Sequence, residues 1–502
     1  MNSPIGPCHH RLFFRFTTFL VIALSGVPSE ASSQEKSRPN IVFVYTDDQA
    51  AWTLGCYGNP QAYTPNLDRL AAEGARLTQA LVSTPVCSPA RATLFSSRYG
   101  SEVGILDFIP HPQHQEYTGE TGKIGLSKSF ITFPQLLKNA GYKTALIGKW
   151  HLGDWTQDPI QRFHPTQHGF DTFIGFTGGG TSTNDPSLEK NGAEQRFLGL
   201  TDDILTDEAI SFLEGHASSR PFFLFLGLRA PHTAYLPVAP EDAEPYASID
   251  PIIPNPDYPD LNVQNVKKMM REYLSSVTAV DRNVGRFVAA LDRLRLTQNT
   301  VVIFSSDHGY NMGHNGIWHK GNGIWATNSF PAASPGISPR YRPNLFDHSL
   351  RVPALVRWPG KVPPGTIVDE TVSNLDWYLT ILAMAEVTPP ANLLLRGRNA
   401  LPLLKDMPVA GWQNDFYAEY SMRIYAQTDM RAFRTSRWKL VRDQLNPDRD
   451  ELYDLQADPA EAHNLIKETH RAEVRIALTS LDEKLYAKRR EIRDTTLPAR
   501  AR

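Results

Sequence analysis

The sequence predicts an α/β fold, a large mixed, mostly parallel sheet sandwiched by helices, followed by a smaller C-terminal antiparallel sheet packed with a helix. Three observations carry this reading. Short apolar runs alternate with longer stretches of helical period up to about residue 400. The apolar runs lead into acids, lysines and histidines. Beyond the Pro389-Pro390 pair and a loose stretch to Pro408, the pattern changes to short, closely spaced strands.

At the N-terminus, Arg11 and Arg15 precede an apolar run from Phe16 to Leu24. That run is roughly half of the ~20 residues a bilayer span needs, and Ser29-Glu30-Ala31 places small residues where a signal peptidase inspects. The expectation is a signal peptide over 1–31, cleaved near Ala31, with no transmembrane segment in the mature chain and a periplasmic or secreted product.

Four strands follow from apolar runs whose ends matter. Ile41 to Tyr45 leads into Asp47 and Asp48, and Thr144 to Ile147 leads into Lys149 and His151. Phe222 to Leu228 runs into His232, and Val301 to Phe304 runs into Asp307 and His308. In an open parallel sheet the carboxyl ends of the strands converge on one edge, where ligands bind, so these residues are expected together. Helical periods cover Pro65 to Leu81, Phe133 to Ala140, Asp202 to Leu213, Val263 to Leu294 and Asn374 to Glu386. The Gly-, Asn-, Ser- and Pro-rich stretch from 321 to 343 has little periodicity and reads as an insertion loop at the ligand edge, following Lys320. The antiparallel strands are expected at Phe416–Tyr420, Met430–Thr435, Trp438–Val441 and Glu451–Asp454, with a helix from Arg471 to Arg490. The domains are read as a catalytic domain over 38–400 and an α+β subdomain over 401–502.

Composition narrows the function. With 51 Lys and Arg against 53 Asp and Glu, the net charge is -2, and 41% hydrophobic with 21% charged is ordinary for a globular chain. That balance leaves no basic footprint for nucleic acid, so any anionic substrate must be met locally. Of three cysteines, Cys8 falls in the leader, and Cys56 and Cys87 stand in such different contexts that a disulfide framework is not expected.

The sharpest motif is Cys87-Ser88-Pro89-Ala90-Arg91, with Pro89 suited to the first turn of a helix. A cysteine there meets free backbone N–H groups and the positive end of the helix dipole, which favour anions and a thiolate. Together with Ser97-Arg98-Tyr99, this motif resembles the signature of the formylglycine-dependent (type I) sulfatases of the alkaline-phosphatase-like superfamily. The resemblance extends through Pro39 to Asp48, Thr64 to Leu70, Gly148 to Gly153, Pro231-His232, Ser306 to Gly309, Trp318-His319-Lys320, Arg351-Val352-Pro353 and Glu451 to Leu455.

The resemblance implies that a formylglycine-generating or sulfatase-maturating enzyme oxidises Cys87 to formylglycine. The hydrate of that aldehyde would attack sulfur, and its second hydroxyl would let the sulfated intermediate collapse by elimination. It further implies a metal site at Asp47, Asp48, Asp307 and His308 holding Ca²⁺, with Mg²⁺ possible. Three of these are hard carboxylates, while His308 stands where many relatives carry Asn. Arg91 would brace the formylglycine, and Lys149, His151, His232 and Lys320 would surround the sulfate. His151 would serve as base, and His232 with Lys320 would assist the leaving oxygen.

The implied activity is hydrolysis of a sulfate ester, most of all of a sulfated carbohydrate. A formylglycine phosphonate or phosphodiester hydrolase and a non-catalytic sulfoglycan-binding protein are the alternatives. Gly313-His314-Asn315-Gly316 departs from the family's Gly-Glu-His-Gly, which implies a different subsite near the leaving group. His111, His114, His168 and His319 are read as exposed or structural, and Cys56 as core packing.

Overall fold

The computed structural model describes residues 12–14, 38–112, 114–153, 162–216, 220–494 and 496. The expected signal peptide, apart from Leu12, Phe13 and Phe14, and its cleavage site lie outside the described residues. The described residues from Arg38 onward form one compact unit. No described helix is long and apolar enough to cross a membrane.

Among the described residues the main sheet has ten strands. From edge to edge they are Thr366–Val368, Ala75–Leu77, Ala354–Arg357, Thr300–Ser306, Asn40–Thr46, Phe222–Gly227, Lys143–Lys149, Thr172–Phe176, Ser187–Lys190 and Ala193–Arg196. From Thr300–Ser306 to Thr172–Phe176 all neighbours are parallel. Antiparallel pairings on either side make the sheet mixed. The central strands read as continuous apolar runs because both of their faces are covered. In Asn40–Thr46, Ile41, Phe43 and Tyr45 enter one core, and Val42 and Val44 enter the other. Phe95, Phe133, Trp377 and Ile381 cover the first face, from the helices Cys87–Ser96, Phe133–Asn139 and Asp376–Met384. The second face is covered by Pro65–Ala72, Thr201–His216 and the 31-residue Val263–Arg293, through Leu67, Leu205, Leu274 and Phe287.

The helix expected from Pro65 to Leu81 is corrected. It stops at Ala72, and the chain then forms the strands Ala75–Leu77 and Ala80–Leu81. Gly74 is the reason: a Cβ there would lie 2.1 Å from the Val356 carbonyl oxygen, so glycine lets the chain pass close to Ala354–Arg357 and pair with it. The 321–343 stretch also carries a short strand, Ile324–Trp325, antiparallel to Ile317–His319.

The C-terminal sheet has the order Phe416–Tyr420, Met430–Arg434, Trp438–Asp443, Glu451–Asp454, antiparallel throughout. The helix Ala472–Glu491 packs Val474, Leu481 and Leu485 onto its Tyr417, Phe433, Leu440 and Leu452. The sheet also reaches the catalytic helix region, where Glu419 accepts hydrogen bonds from Ser101 N and Ser101 Oγ, each at 2.7 Å.

Two histidines, the buried His168 and the half-buried His348, give the fold an acid limit. Burial, with Lys128 a smaller contributor, pulls His168 down to about 4, and burial pulls His348 down to about 4. Below the ordinary histidine value of 6.5 the unfolded chain takes up protons that the native chain refuses, so this stability is present above 6.5 and lost as pH falls towards 4. The expected result is a melting temperature that drops as pH is lowered from 6.5 to 4.5, with a shallower slope in His168→Gln; an unchanged slope would contradict the assignment.

Candidate active site

The carboxyl ends of four parallel strands meet the N-terminus of the Cys87 helix. Asp47 and Asp48 follow Asn40–Thr46, His151 follows Lys143–Lys149, His232 follows Phe222–Gly227, and Asp307 and His308 follow Thr300–Ser306. Asp47, Asp48, Asp307, His308, Arg91 and Lys149 are fully buried, and Cys87 is 3% exposed. The ligand atoms of Asp47, Cys87, Asp307 and His308 lie within 4.8 Å of one another, as do those of Asp47, Asp48, Cys87 and His232.

Each cation is set against an acid or the nucleophile position. Lys320 Nζ donates to Asp48 Oδ1 at 2.6 Å and to Cys87 Sγ at 3.0 Å. Lys149 Nζ donates to Asp47 Oδ2 at 2.5 Å and to the Gly179 carbonyl at 2.6 Å. Arg91, one turn after Cys87, donates through Nε to Asp307 Oδ2 and through Nη1 to the Lys149 carbonyl, both at 3.0 Å. Burial works to raise the Cys87 thiol, but Lys149 and Lys320 overcome it and bring the thiol down to about 5. This position therefore stabilises negative charge, as a developing oxyanion there requires.

The histidines have assigned faces. His151 Nε2 donates to the Ile109 carbonyl at 2.8 Å, and its buried Nδ1 has no hydrogen-bond partner among the described residues. Burial and then Lys149 hold His151 well below the usual histidine range, so its Nδ1 lone pair is free to accept a proton. His232 Nδ1 donates to the Thr233 carbonyl at 2.7 Å, which leaves Nε2 for the acidic cluster.

A model of the family described as sulfatase matches residues 39–387, and one described as N-sulphoglucosamine sulphohydrolase, C-terminal, matches residues 342–491. The chain belongs to the sulfatase family. It is a type I member of the alkaline-phosphatase-like fold and a sulfuric ester hydrolase. Steryl-sulfatase of Rattus norvegicus is 30% identical over 463 residues, covering 77% of this sulfatase and 73% of the relative. N-acetylglucosamine-6-O-sulfatase of Bacteroides thetaiotaomicron is 26% identical over 552 residues, covering 93% and 90%. A solved structure in complex with its substrate D-glucosamine-2-N,6-O-disulfate shares the fold at a TM-score of 0.75 and 24% identity, covering 92% of this chain and 99% of its own.

Family members generally use Ca²⁺ and formylglycine, and the donor set of this sulfatase fits a hard divalent cation. Asp48 Oδ2 is buried without a hydrogen-bond partner among the described residues. His308 Nδ1 donates to the Gly309 carbonyl at 3.0 Å, which turns Nε2 to within 3.0 Å of Asp48 Oδ1 and 3.3 Å of Asp307 Oδ1. A ring nitrogen fixed this way by a backbone carbonyl is the usual posture of a ligating histidine. Burial opposes charge on His308, but Asp307 and Asp48 push it up to about 10.

All ten residues expected at the site are brought together, and some neighbours depart from expectation. His314 does not face the anion pocket as an altered leaving-group subsite would. It packs between Trp52 and His348, with ring centroids at 5.2 and 4.0 Å, and Asn315 is tied to Asn255 and Ala460. His168 is buried against Trp150, a structural role as expected. Cys56 is half-buried and unbridged. Sequence reasoning passed over the glycine run Gly178-Gly179-Gly180, which walls the site. A Cβ at Gly178 would lie 3.0 Å from His111, and one at Gly179 would lie 3.0 Å from His151 Cε1. The signal was the triple glycine after an apolar strand, a place where the backbone must approach something closely.

Proposed function

We propose that this sulfatase hydrolyses a sulfate ester of a carbohydrate, using an oxygen nucleophile derived from Cys87. The observation that carries the reading is Cys87 itself, buried at a helix N-terminus within the Cys-Ser-Pro-Ala-Arg motif, touched by Lys320 and surrounded by three carboxylates, Arg91 and Lys149. A formylglycine hydrate at this position supplies the attacking hydroxyl and a second one that permits release of sulfate by elimination. A divalent cation, Ca²⁺ by the hardness of its ligands, would be held by Asp47, Asp48, Asp307 and His308 and would neutralise a sulfate oxygen. Arg91 holds Asp307 and the Lys149 carbonyl in place. Lys149 and Lys320 offset the charge that spreads over the sulfuryl oxygens, His151 Nδ1 accepts the proton released at the Cys87 position, and His232 Nε2 with Lys320 meets the departing sugar oxygen.

Support for a carbohydrate comes from the N-acetylglucosamine-6-O-sulfatase relative, which aligns over nearly all of both chains, and from the neighbour that holds a sulfated glucosamine. Export belongs to the same proposal. It rests on Arg11 and Arg15 ahead of the Phe16–Leu24 run, and it would bring the chain to a maturating enzyme before folding closes over Cys87.

Two measurements test the reading. A panel of sulfated mono- and oligosaccharides should reveal at least one that is desulfated with a higher kcat/KM than nitrophenyl sulfate; no turnover of any sugar sulfate would refute the substrate class. His232→Ala should lose far more rate on the sugar sulfate, by about tenfold more, because a sugar alkoxide leaves poorly without a proton or cation. Equal losses on both substrates would mean that His232 holds the sulfate and does not assist departure.

A further inference from the structure

We infer that Gly180 is a specificity-determining position, whose missing side chain keeps open the space beside His232 where the ring of the departing sugar stands, an inference that rests on the carbohydrate reading above. The sulfate end of the pocket is closed to solvent. Cys87 and Lys320 are each 3% exposed, His151 is 2% exposed, and Asp47, Asp48, Asp307 and His308 are at 0%. His232 is the half-buried member of the set, although one of its ring nitrogens lies within 4.8 Å of ligand atoms of Asp47, Asp48 and Cys87. A sulfate held among the buried residues must therefore carry the rest of its ester out past His232.

The chain that follows the strand Thr172–Phe176 runs along this opening, and its carbonyls are tied down. Lys149 Nζ donates to the Gly179 carbonyl at 2.6 Å, Arg229 Nε to the Thr181 carbonyl at 2.9 Å, and Thr201 Oγ1 to the Ser182 carbonyl at 2.6 Å. Arg229 is itself 3% exposed, and its N–H donates to Asp202 Oδ1 at 2.7 Å. Arg229 and His232 follow the same strand, Phe222–Gly227, so the glycine segment and His232 are positioned from one strand end.

Two neighbouring glycines in this segment answer to different demands. A Cβ at Gly179 would lie 3.0 Å from His151 Cε1 and 3.3 Å from its Nε2, so the packing of His151 calls for glycine there. Packing makes no such demand at Gly180. Its φ lies outside the left-handed region and the residue is exposed. Among the described residues, and beyond its chain neighbours, a Cβ at Gly180 would meet only Cε1 and Nδ1 of His232 within 4 Å, both at 3.7 Å, an ordinary van der Waals distance. A side chain would therefore fit the free protein. It would also cover the Cε1 edge of His232, beside Nε2, the nitrogen left for the departing oxygen. Glycine serves where a ligand comes close to the backbone, and a pyranose carried on that oxygen is such a ligand.

The test compares Gly180→Ala and Gly180→Val with the wild type on the sugar sulfate it turns over best, on nitrophenyl sulfate, and with inorganic sulfate as a competitive inhibitor that fills the buried end alone. For the sugar sulfate, kcat/KM should fall about threefold in Gly180→Ala and about tenfold or more in Gly180→Val, the cost of a methylene out of place in a close-fitting site. The Gly180→Val loss should be at least about threefold larger on the sugar sulfate than on nitrophenyl sulfate, whose flat ring turns edge-on past the added side chain. The inhibition constant of inorganic sulfate should change by less than about twofold, because the buried pocket is untouched. The melting temperature of Gly180→Ala should equal or exceed that of the wild type, since alanine at a compatible φ restricts the unfolded chain. Equal losses on the two esters, sulfate inhibition that weakens in step with the sugar sulfate, no loss on the sugar sulfate in Gly180→Val, or a lowered melting temperature in Gly180→Ala would overturn the assignment and leave the carbohydrate reading standing. A wild type that turns over nitrophenyl sulfate and no sugar sulfate would overturn both.

Discussion

Asp307→Ala lowers kcat/KM by about 10²-fold or more, with a melting temperature that still reports a folded protein. The carboxylate has two duties at once. Its Oδ2 pairs with Arg91 Nε at 3.0 Å in full burial, and its Oδ1 accepts the Asp48 N–H at 3.2 Å and lies 3.3 Å from His308 Nε2. Removing it leaves a buried guanidinium unpaired beside the nucleophile position and takes one hard oxygen from the cation site. Bound metal per chain should therefore fall together with activity, which loss of a purely structural ion pair would not bring about. Asp307→Asn keeps an oxygen for Asp48 N–H but not the charge, so it should restore stability without restoring rate. Full activity of either variant, or of wild-type enzyme stripped of metal by a chelator, would contradict the assignment.

Cys87→Ala abolishes turnover, a loss on the order of 10⁴-fold or more, because it removes the atom that Lys320 and Asp47 hold at the head of the helix. Cys87→Ser is the more informative variant. Its hydroxyl stands in the same field of Lys320 and Lys149, but it has no second hydroxyl from which to eliminate sulfate. The expected outcome is a single turnover that leaves the Ser-bearing peptide heavier by one sulfuryl group. Continued turnover by this variant would remove the reason for an aldehyde at this position.

Much of the fold and the site is legible in the sequence because both depend on strand ends. Asp47, Lys149, His151, His232 and Asp307 each stand at or just beyond the end of an apolar run, and parallel strands bring such ends to one edge whatever the loops do. The four C-terminal strands are readable for a similar reason, since their buried residues repeat at short range. Less legible is what long-range backbone contact decides. The Pro65–Leu81 stretch keeps a helical period past Ala72, but Gly74 must pass the Val356 carbonyl, and no local pattern shows that strand. His314 lies in a motif that suggested the active site, yet Trp52 and His348, distant in sequence, hold it elsewhere. Gly179 is overlooked for the converse reason, since it is defined by the side chain it lacks beside His151.

The central claim is that Cys87 does not act as a thiol. The most direct test is the mass of the tryptic peptide containing Cys87, measured on active enzyme from a host with a maturation system. Conversion of the thiol to an aldehyde lowers that mass by about 18 Da, and across preparations the modified fraction should track specific activity. A fully active preparation in which this peptide carries only the unmodified thiol would contradict the account.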